Sequence, residues 1–254
     1  MTLILNEIHI LNGLQDSFIV AGADRRITNP DGSYHSSEKK LFNIPYLNGT
    51  ISFFGLAEVF PGGKRTSLST WLPNFINRQS SAKDLLTFCK ELWEELNGIV
   101  PGSLLDCKVS GFHISGYTRE GYPDFWFISN IGRLEQFYYA DLKSRYNFPE
   151  SHFLGRDAKK ELGWDGKNPL SAKNSVYFYR NGDFRAHALA FGVIDEIYKR
   201  FSQFPDFKPI ITIEQYSEYI KFKFDVVSFL YKKWAKKVII GRPIDVILIK
   251  KPAL

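Results

Sequence analysis

The apolar residues of this chain come in blocks of two periods, and that order restricts the folds open to it. Residues 3–11, 18–23, 41–44 and 50–54 carry short strand-like runs, with turns starting at Asn12 and Gly13 and spanning 45–49. Two helical segments follow, 66–79 and 81–96. In the second, Ser81 and Asp84 give a capping-box-like start, and Leu85, Phe88, Cys89, Leu92, Trp93 and Leu96 recur at helical spacing as one buried stripe before Gly98. Pro73 marks a break or a start in the first. Then come a hairpin over 109–117 and 125–129 and strands at 134–142 and 176–180, the last followed by a turn at 181–183. Helices at 184–201 and 213–237 come next, the latter capped by Thr212 and Gln215, and a strand at 244–250 ends the series. A loop with Pro30, Asp31 and Gly32 follows the second strand.

Runs of strands separated by helix pairs predict an α+β fold in layers. Two sheets packed face to face, each covered outside by a helix pair, satisfy the order: a four-layer αββα sandwich. No repeat, low-complexity tract or linker divides the chain, so one domain over 1–254 is expected, with an irregular insertion at about 143–175 that is polar and rich in Gly, Pro and Asp.

Composition narrows the class. The hydrophobic share of 44% and charged share of 24% are those of an ordinary globular protein. The 22 Phe, 13 Tyr and 5 Trp predict a large aromatic core or buried oligomer surfaces, and argue against disorder. The net charge of +6 owes much to late lysines such as Lys221, Lys223, Lys232, Lys233, Lys236 and Lys237, read as a solvated helix face. Without a basic tail, zinc-finger spacing or an RNA-binding aromatic signature, nothing favours nucleic acid as a partner. Cys89 and Cys107 form neither a disulfide framework nor a metal clip, which points to the cytoplasm. Asn6, Glu7 and His9 interrupt the first apolar run, so it is no secretion signal, and no run reaches the roughly 18 residues a membrane span needs.

Most familiar chemistries find no support. His9, His35, His113, His152 and His187 are scattered without metal-ligand spacing, and His113 reads as a packed residue. The run Pro61-Gly62-Gly63-Lys64-Arg65-Thr66 resembles part of a phosphate loop, but Glu58 stands where its first Gly belongs and Arg65 replaces the Ser/Thr. No G-x-S-x-G elbow is present. No metal and no cofactor is expected. What remains is Thr2. Once Met1 is removed, a hydroxyl nucleophile and a free α-amine sit on one residue, and an α-amine with a pKa of about 7.7–8.0 is partly neutral near pH 7. Taken singly, Thr2 reads as a frayed terminus, Asp24 with Arg26 as a surface ion pair, and Lys40 beside Lys39 as an edge charge.

Four segments in order change that reading: Thr2 with the strand behind it; Phe18-Ile19-Val20-Ala21-Gly22-Ala23-Asp24-Arg25-Arg26, a strand ending in Asp-x-Arg; Lys39-Lys40-Leu41-Phe42-Asn43-Ile44 followed by residues 51–57 with Gly55; and Ile114-Ser115-Gly116-Tyr117-Thr118 followed by residues 123–129. This pattern resembles the proteasome β-subunits and their bacterial relatives among the N-terminal-nucleophile (Ntn) hydrolases. The match spans most of the chain and is poorest at 58–80 and 143–175. The resemblance implies that Thr2 is the nucleophile, with its own amine as base. It implies that Lys40 lowers the pKa of the Thr2 hydroxyl, that Asp24 holds Lys40 charged and oriented, and that Arg26 shapes the loop. A backbone N–H near Phe54 and Gly55 would be the oxyanion donor. It further implies a peptide or protein substrate and self-assembly into an oligomer or ring; whether an ATPase partner joins is left open.

The pattern departs from the family at three places. The first hairpin connection is longer by about six residues, a change that surface loops tolerate. Phe54 stands where the family has a first Gly, which implies a narrowed approach to Thr2 or a register shifted by one. The positions expected to support the amine hold Lys237 and Ile240, with Asp183 as the substitute at hand. Two functions therefore stay open: a threonine-type amidohydrolase, in all expectation a peptidase, or a non-catalytic structural or interaction subunit that keeps the fold.

Overall fold

A computed structural model describes residues 2–29, 31–131, 142–154, 156–183 and 185–253. The chain runs β1 (Leu3–Ile10), β2 (Phe18–Asp24), β3 (Arg26–Thr28), β4 (Tyr34–Ser37), β5 (Leu41–Ile44), β6 (Gly49–Gly55), β7 (Glu58–Val59), β8 (Thr66–Ser67), α1 (Leu68–Arg78), α2 (Leu85–Ile99) and α3 (Gly102–Leu105). It continues through β9 (Ser110–Tyr117), β10 (Pro123–Ser129), β11 (Glu150–Ser151), α4 (Arg156–Leu162), β12 (Ser175–Gly182), α5 (Phe191–Phe201), α6 (Ile213–Trp234) and β13 (Ile244–Lys250). The fold is mixed α/β. One sheet has the order β12-β1-β2-β13, a second β11-β10-β9-β6-β5, and β3-β4 and β7-β8 are two-stranded ribbons.

Three apolar clusters follow from strand alternation. Ile4, Ile8, Ile19, Ala21 and Ala23 from the first sheet join Phe54, Tyr117, Phe125 and Phe127 from the second. The other side of the first sheet, with Leu3, Leu5 and Val20, meets Phe191, Ile220, Phe224 and Val227 of α5 and α6. The other side of the second, with Ile51, Phe53, Phe112 and Ile114, meets Leu72, Phe75, Phe88 and Leu92 of α1 and α2. Cys89 is buried in that last cluster, as its helical position predicts.

Several expected boundaries move. Pro73 lies inside α1 rather than at a break: Leu68, Trp71, Leu72, Phe75 and Ile76 bury one face there, and that packing outweighs the helix bond Pro lacks, a cost of about 3 kcal/mol. Helix α2 begins after Asp84, not at Ser81, because the Asp84 carboxylate accepts the Thr87 N–H at 2.7 Å and supplies the cap alone. Gly98 stays inside that helix. Residues 181 and 182 extend β12 instead of turning, since both pair with β1. The loop expected after β2 contains the β3-β4 ribbon, too short and polar to show an alternating pattern. The strand expected at 134–142 lies outside the described residues, apart from Leu142. Within 143–173, β11 adds to the second sheet, and Tyr146, Phe153, Leu162, Trp164 and Ala172 are buried in the core, so this segment helps to close it. Lys223 is not solvated as expected. It is 1% exposed and donates to Asp195 at 2.9 Å, across from α6 to α5.

A polar thread crosses the apolar space between the sheets. Asn6 Nδ2 lies 3.1 Å from His113 Nδ1, and His113 Nε2 lies 2.5 Å from Asn181 Oδ1. The Asn6 amide donates to Nδ1, so the ring proton sits on Nε2 and the imidazole is neutral. Ser115 Oγ donates to Asn6 Oδ1 at 2.7 Å, which completes the set. Burial lowers the His113 pKa from 6.5 to about 3. The unfolded chain therefore takes up this proton first as pH falls, and the stabilisation present above pH 6.5 drains away toward about pH 3. Going from pH 7 to about 4.5, wild type is expected to lose about 2–3 kcal/mol more stability than His113→Gln. Paired denaturant titrations at the two pH values measure this, and equal losses would refute it.

Candidate active site

The site forms where β1, β2, β5 and β6 bring their ends together. Asp24 is the last residue of β2 and is fully buried. Its Oδ1 accepts the Leu3 N–H at 2.8 Å and the Thr2 hydroxyl at 2.7 Å. Its Oδ2 accepts the N–H of Arg26 at 3.1 Å and of Gly241 at 3.3 Å. A buried carboxylate is costly unless its lone pairs are filled, and here four donors from three chain segments converge on it before any cation is counted.

Lys40 supplies the cation. It precedes β5 and is 1% exposed. Its Nζ donates to Arg26 O at 2.6 Å, to Asp24 Oδ1 at 3.1 Å and to the Thr2 hydroxyl oxygen. All three ammonium protons are thereby used. Burial pulls the Lys40 pKa below its usual 10.5, while Asp24 and, more distantly, Glu38 oppose that shift. The Thr2 oxygen thus accepts a hydrogen bond from a lysine and donates one to a carboxylate. Of the two neighbours, the Lys40 ammonium favours the oxygen as a developing anion by placing positive charge beside it, while the Asp24 carboxylate anchors Lys40 and the hydroxyl.

Arg26 enters through its backbone, donating N–H to Asp24 and offering its carbonyl to Lys40, while its guanidinium lies 5.0 Å over the Tyr34 ring. Gly55 ends β6 at φ +81°, and a side-chain carbon there would meet Val109 O at 1.9 Å. The Phe53 N–H bonds the Lys40 carbonyl at 3.2 Å. By strand alternation the Gly55 N–H faces the same side, beyond the start of β5. Thr2, Lys40 and Gly55 line one small cavity of about 30 Å³ with Arg26, Ile27, Thr28, Phe53 and Phe54, room for about one water.

The departures foreseen in the sequence take a definite form. Phe54 precedes Gly55, which pairs with Ser110, and both line the Thr2 cavity. Its ring stacks on Phe127, with centroids 6.2 Å apart, and fills the space that Gly111 leaves, where any side-chain carbon would come within 2.6 Å of it. Lys237 packs its stem against Gly32 and influences Asp31. Ile240 is buried in the cluster beneath α6. Asp183 donates its backbone N–H to the Thr2 carbonyl at 3.2 Å, but its carboxylate turns to Arg185, with Oδ2 at 2.7 Å.

Two contributors escaped the sequence reading. The Gly241 N–H completes Asp24 from 217 residues away. Gly182, at φ +117°, lets β12 press against Thr2, whose carbonyl oxygen would lie 1.8 Å from any side-chain carbon there. A glycine just after a short strand was the one available signal, and it reads equally well as a turn.

Among the described residues, no group of three or more His, Cys, Asp or Glu could hold a metal ion, and no helix is long and apolar enough to cross a membrane. A roomier apolar groove between α5 and α6, lined by Ile197, Phe201, Phe207 and Phe222, contains no residue of the Thr2 constellation.

No protein-family model matches the chain, and no curated protein matches it. Solved structures do. One is Anbu (ancestral beta-subunit) from Yersinia bercovieri, 12% identical, with 97% of this chain and 82% of that chain covered, at a TM-score of 0.44.

Proposed function

We propose that the chain is a threonine-type N-terminal-nucleophile amidohydrolase, acting on peptide or protein substrates through an acyl-enzyme on Thr2 and built as a single-domain, four-layer αββα sandwich that assembles into an oligomer. The observation that carries the reading is the three-way contact among the Thr2 hydroxyl, the Lys40 ammonium and the Asp24 carboxylate, all almost wholly buried. A structural ion pair has no need of a hydroxyl between its charges. The three apolar clusters, each joining a sheet face to its neighbour, support the layered architecture.

In the proposed reaction, removal of Met1 frees the Thr2 amine. The hydroxyl oxygen attacks the amide carbon as its proton passes to that amine. The carbonyl oxygen becomes an oxyanion facing the Gly55 N–H, and the Lys40 ammonium stabilises the oxygen that attacks. The leaving nitrogen takes the proton back from the α-ammonium, leaving an ester on Thr2. The amine then deprotonates a water, which hydrolyses the ester. Oxyanion donors of this kind are worth about 3–4 kcal/mol each.

One observation favours the other reading, a non-catalytic subunit of the same fold. The Asp183 carboxylate, the substitute expected to support the amine, is held by Arg185, and its pKa is lowered, so it is committed elsewhere. Intact mass spectrometry with a small neutral threonine-directed electrophile separates the two. The catalytic reading expects a chain without Met1 that gains one adduct, and no adduct on Thr2→Ala. A native chain that retains Met1 and stays unlabelled would sink it.

A further inference from the structure

Beside the Thr2 cavity lies a second one of about 150 Å³, and the two share Ile27, Thr28 and Gly55. A group bound in the second cavity is thus next to a carbonyl held at the first. Its volume suits one medium-sized side chain rather than an aromatic pair or a cofactor.

The charges on its walls do not cancel. Glu58 and Arg65 line it and bind each other, so neither is left to a ligand without breaking that pair. Lys108 also lines it, and its ammonium has no ion-pair partner among the described residues. His35 and Asn29 add groups that can donate hydrogen bonds to an anion. The surplus is therefore one exposed cation with neutral donors, and the single carboxylate is already occupied. A carboxylate entering here gains an ion pair, whereas an ammonium meets Lys108 and Arg65 as like charges.

We infer that this cavity is the specificity pocket of the proposed hydrolase, and that it selects an acidic side chain on the residue whose carbonyl Thr2 attacks. The inference rests on the nucleophile reading of Thr2 and adds the substrate class to it. Lys108 is a specificity residue in this scheme, outside the Thr2, Asp24 and Lys40 constellation. It sits in the turn before β9, with its backbone N–H bonded to Leu104 O at 2.9 Å, so its side chain can be exchanged without disturbing a core contact.

The test compares labelling rates of Thr2 by three peptidyl electrophiles that differ only in the side chain next to the reactive carbon: Glu, Gln or Lys. The small neutral electrophile is run in parallel. Wild type is expected to react about tenfold faster with the Glu probe than with the Gln probe, and slowest with the Lys probe. The preference should weaken as salt is raised. Lys108→Glu should reverse the order of the Glu and Lys probes and leave the rate with the small neutral probe unchanged. If the small probe labels Thr2 but the Glu-to-Lys ratio is the same in wild type and Lys108→Glu, the pocket assignment is wrong while the nucleophile stands. If the small probe fails on wild type, the nucleophile reading falls and the inference with it.

Discussion

Lys40→Met is expected to slow acylation of Thr2 by about 10²–10³-fold while leaving a folded protein. Methionine keeps much of the stem volume and removes the charge. The Thr2 oxygen then loses its only ammonium contact, and an alkoxide forming there has no nearby positive charge. Asp24 keeps the Thr2 hydroxyl and the three backbone N–H donors of Leu3, Arg26 and Gly241, so its carboxylate is not orphaned. Single-turnover labelling by the small electrophile gives the rate, and a denaturant titration gives the stability. A variant that labels within threefold of wild type would remove Lys40 from the mechanism. The same pair carries a pH signature. Burial holds Lys40 below 10.5, so the unfolded chain binds that proton more readily than the folded one. Wild type should therefore gain stability relative to Lys40→Met as pH rises from the depressed value toward 10.5.

Asp24→Ala is expected to cost about 3–5 kcal/mol of folding stability, the largest loss of any single change near the site. It strands the Lys40 ammonium at 1% exposure with only the Arg26 carbonyl and the Thr2 oxygen as partners, and leaves three backbone N–H groups without an acceptor. The loss would come from desolvated groups left behind more than from the contacts removed. The double variant Asp24→Ala with Lys40→Met should recover part of the loss, because it also removes the stranded charge. A double-mutant cycle in urea measures the coupling. A loss under about 1 kcal/mol for Asp24→Ala, or simple additivity in the double variant, would show that the pair is not coupled in the folded protein.

Thr2, Asp24, Arg26 and Lys40 stood out only through the order and spacing that carry the family resemblance; taken singly they read as a terminus, a surface ion pair and an edge charge. The Thr212 and Gln215 cap of α6 and the bounds of β13 were legible from local pattern, because both are set by neighbours within a few residues. Lys223 misled, since a lysine on an amphipathic helix reads as solvent-facing until Asp195 of another helix is seen to receive it. Phe54 shows a different dependence. Its meaning depended on Gly111, on a strand more than fifty residues away, which leaves its ring a place to go.

The sequence by itself determined the main blocks of strands and helices, the stripe that α2 buries and the cap of α6. Those follow from local periodicity and side-chain chemistry. Only the tertiary structure decided that the carboxylate is completed by backbone N–H groups of Leu3, Arg26 and Gly241, that Gly182 lets β12 close on Thr2, and that the Asp183 carboxylate turns to Arg185. Backbone donors carry no residue-specific mark, and close approach is a relation between distant segments. Neither leaves a pattern in the order of amino acids.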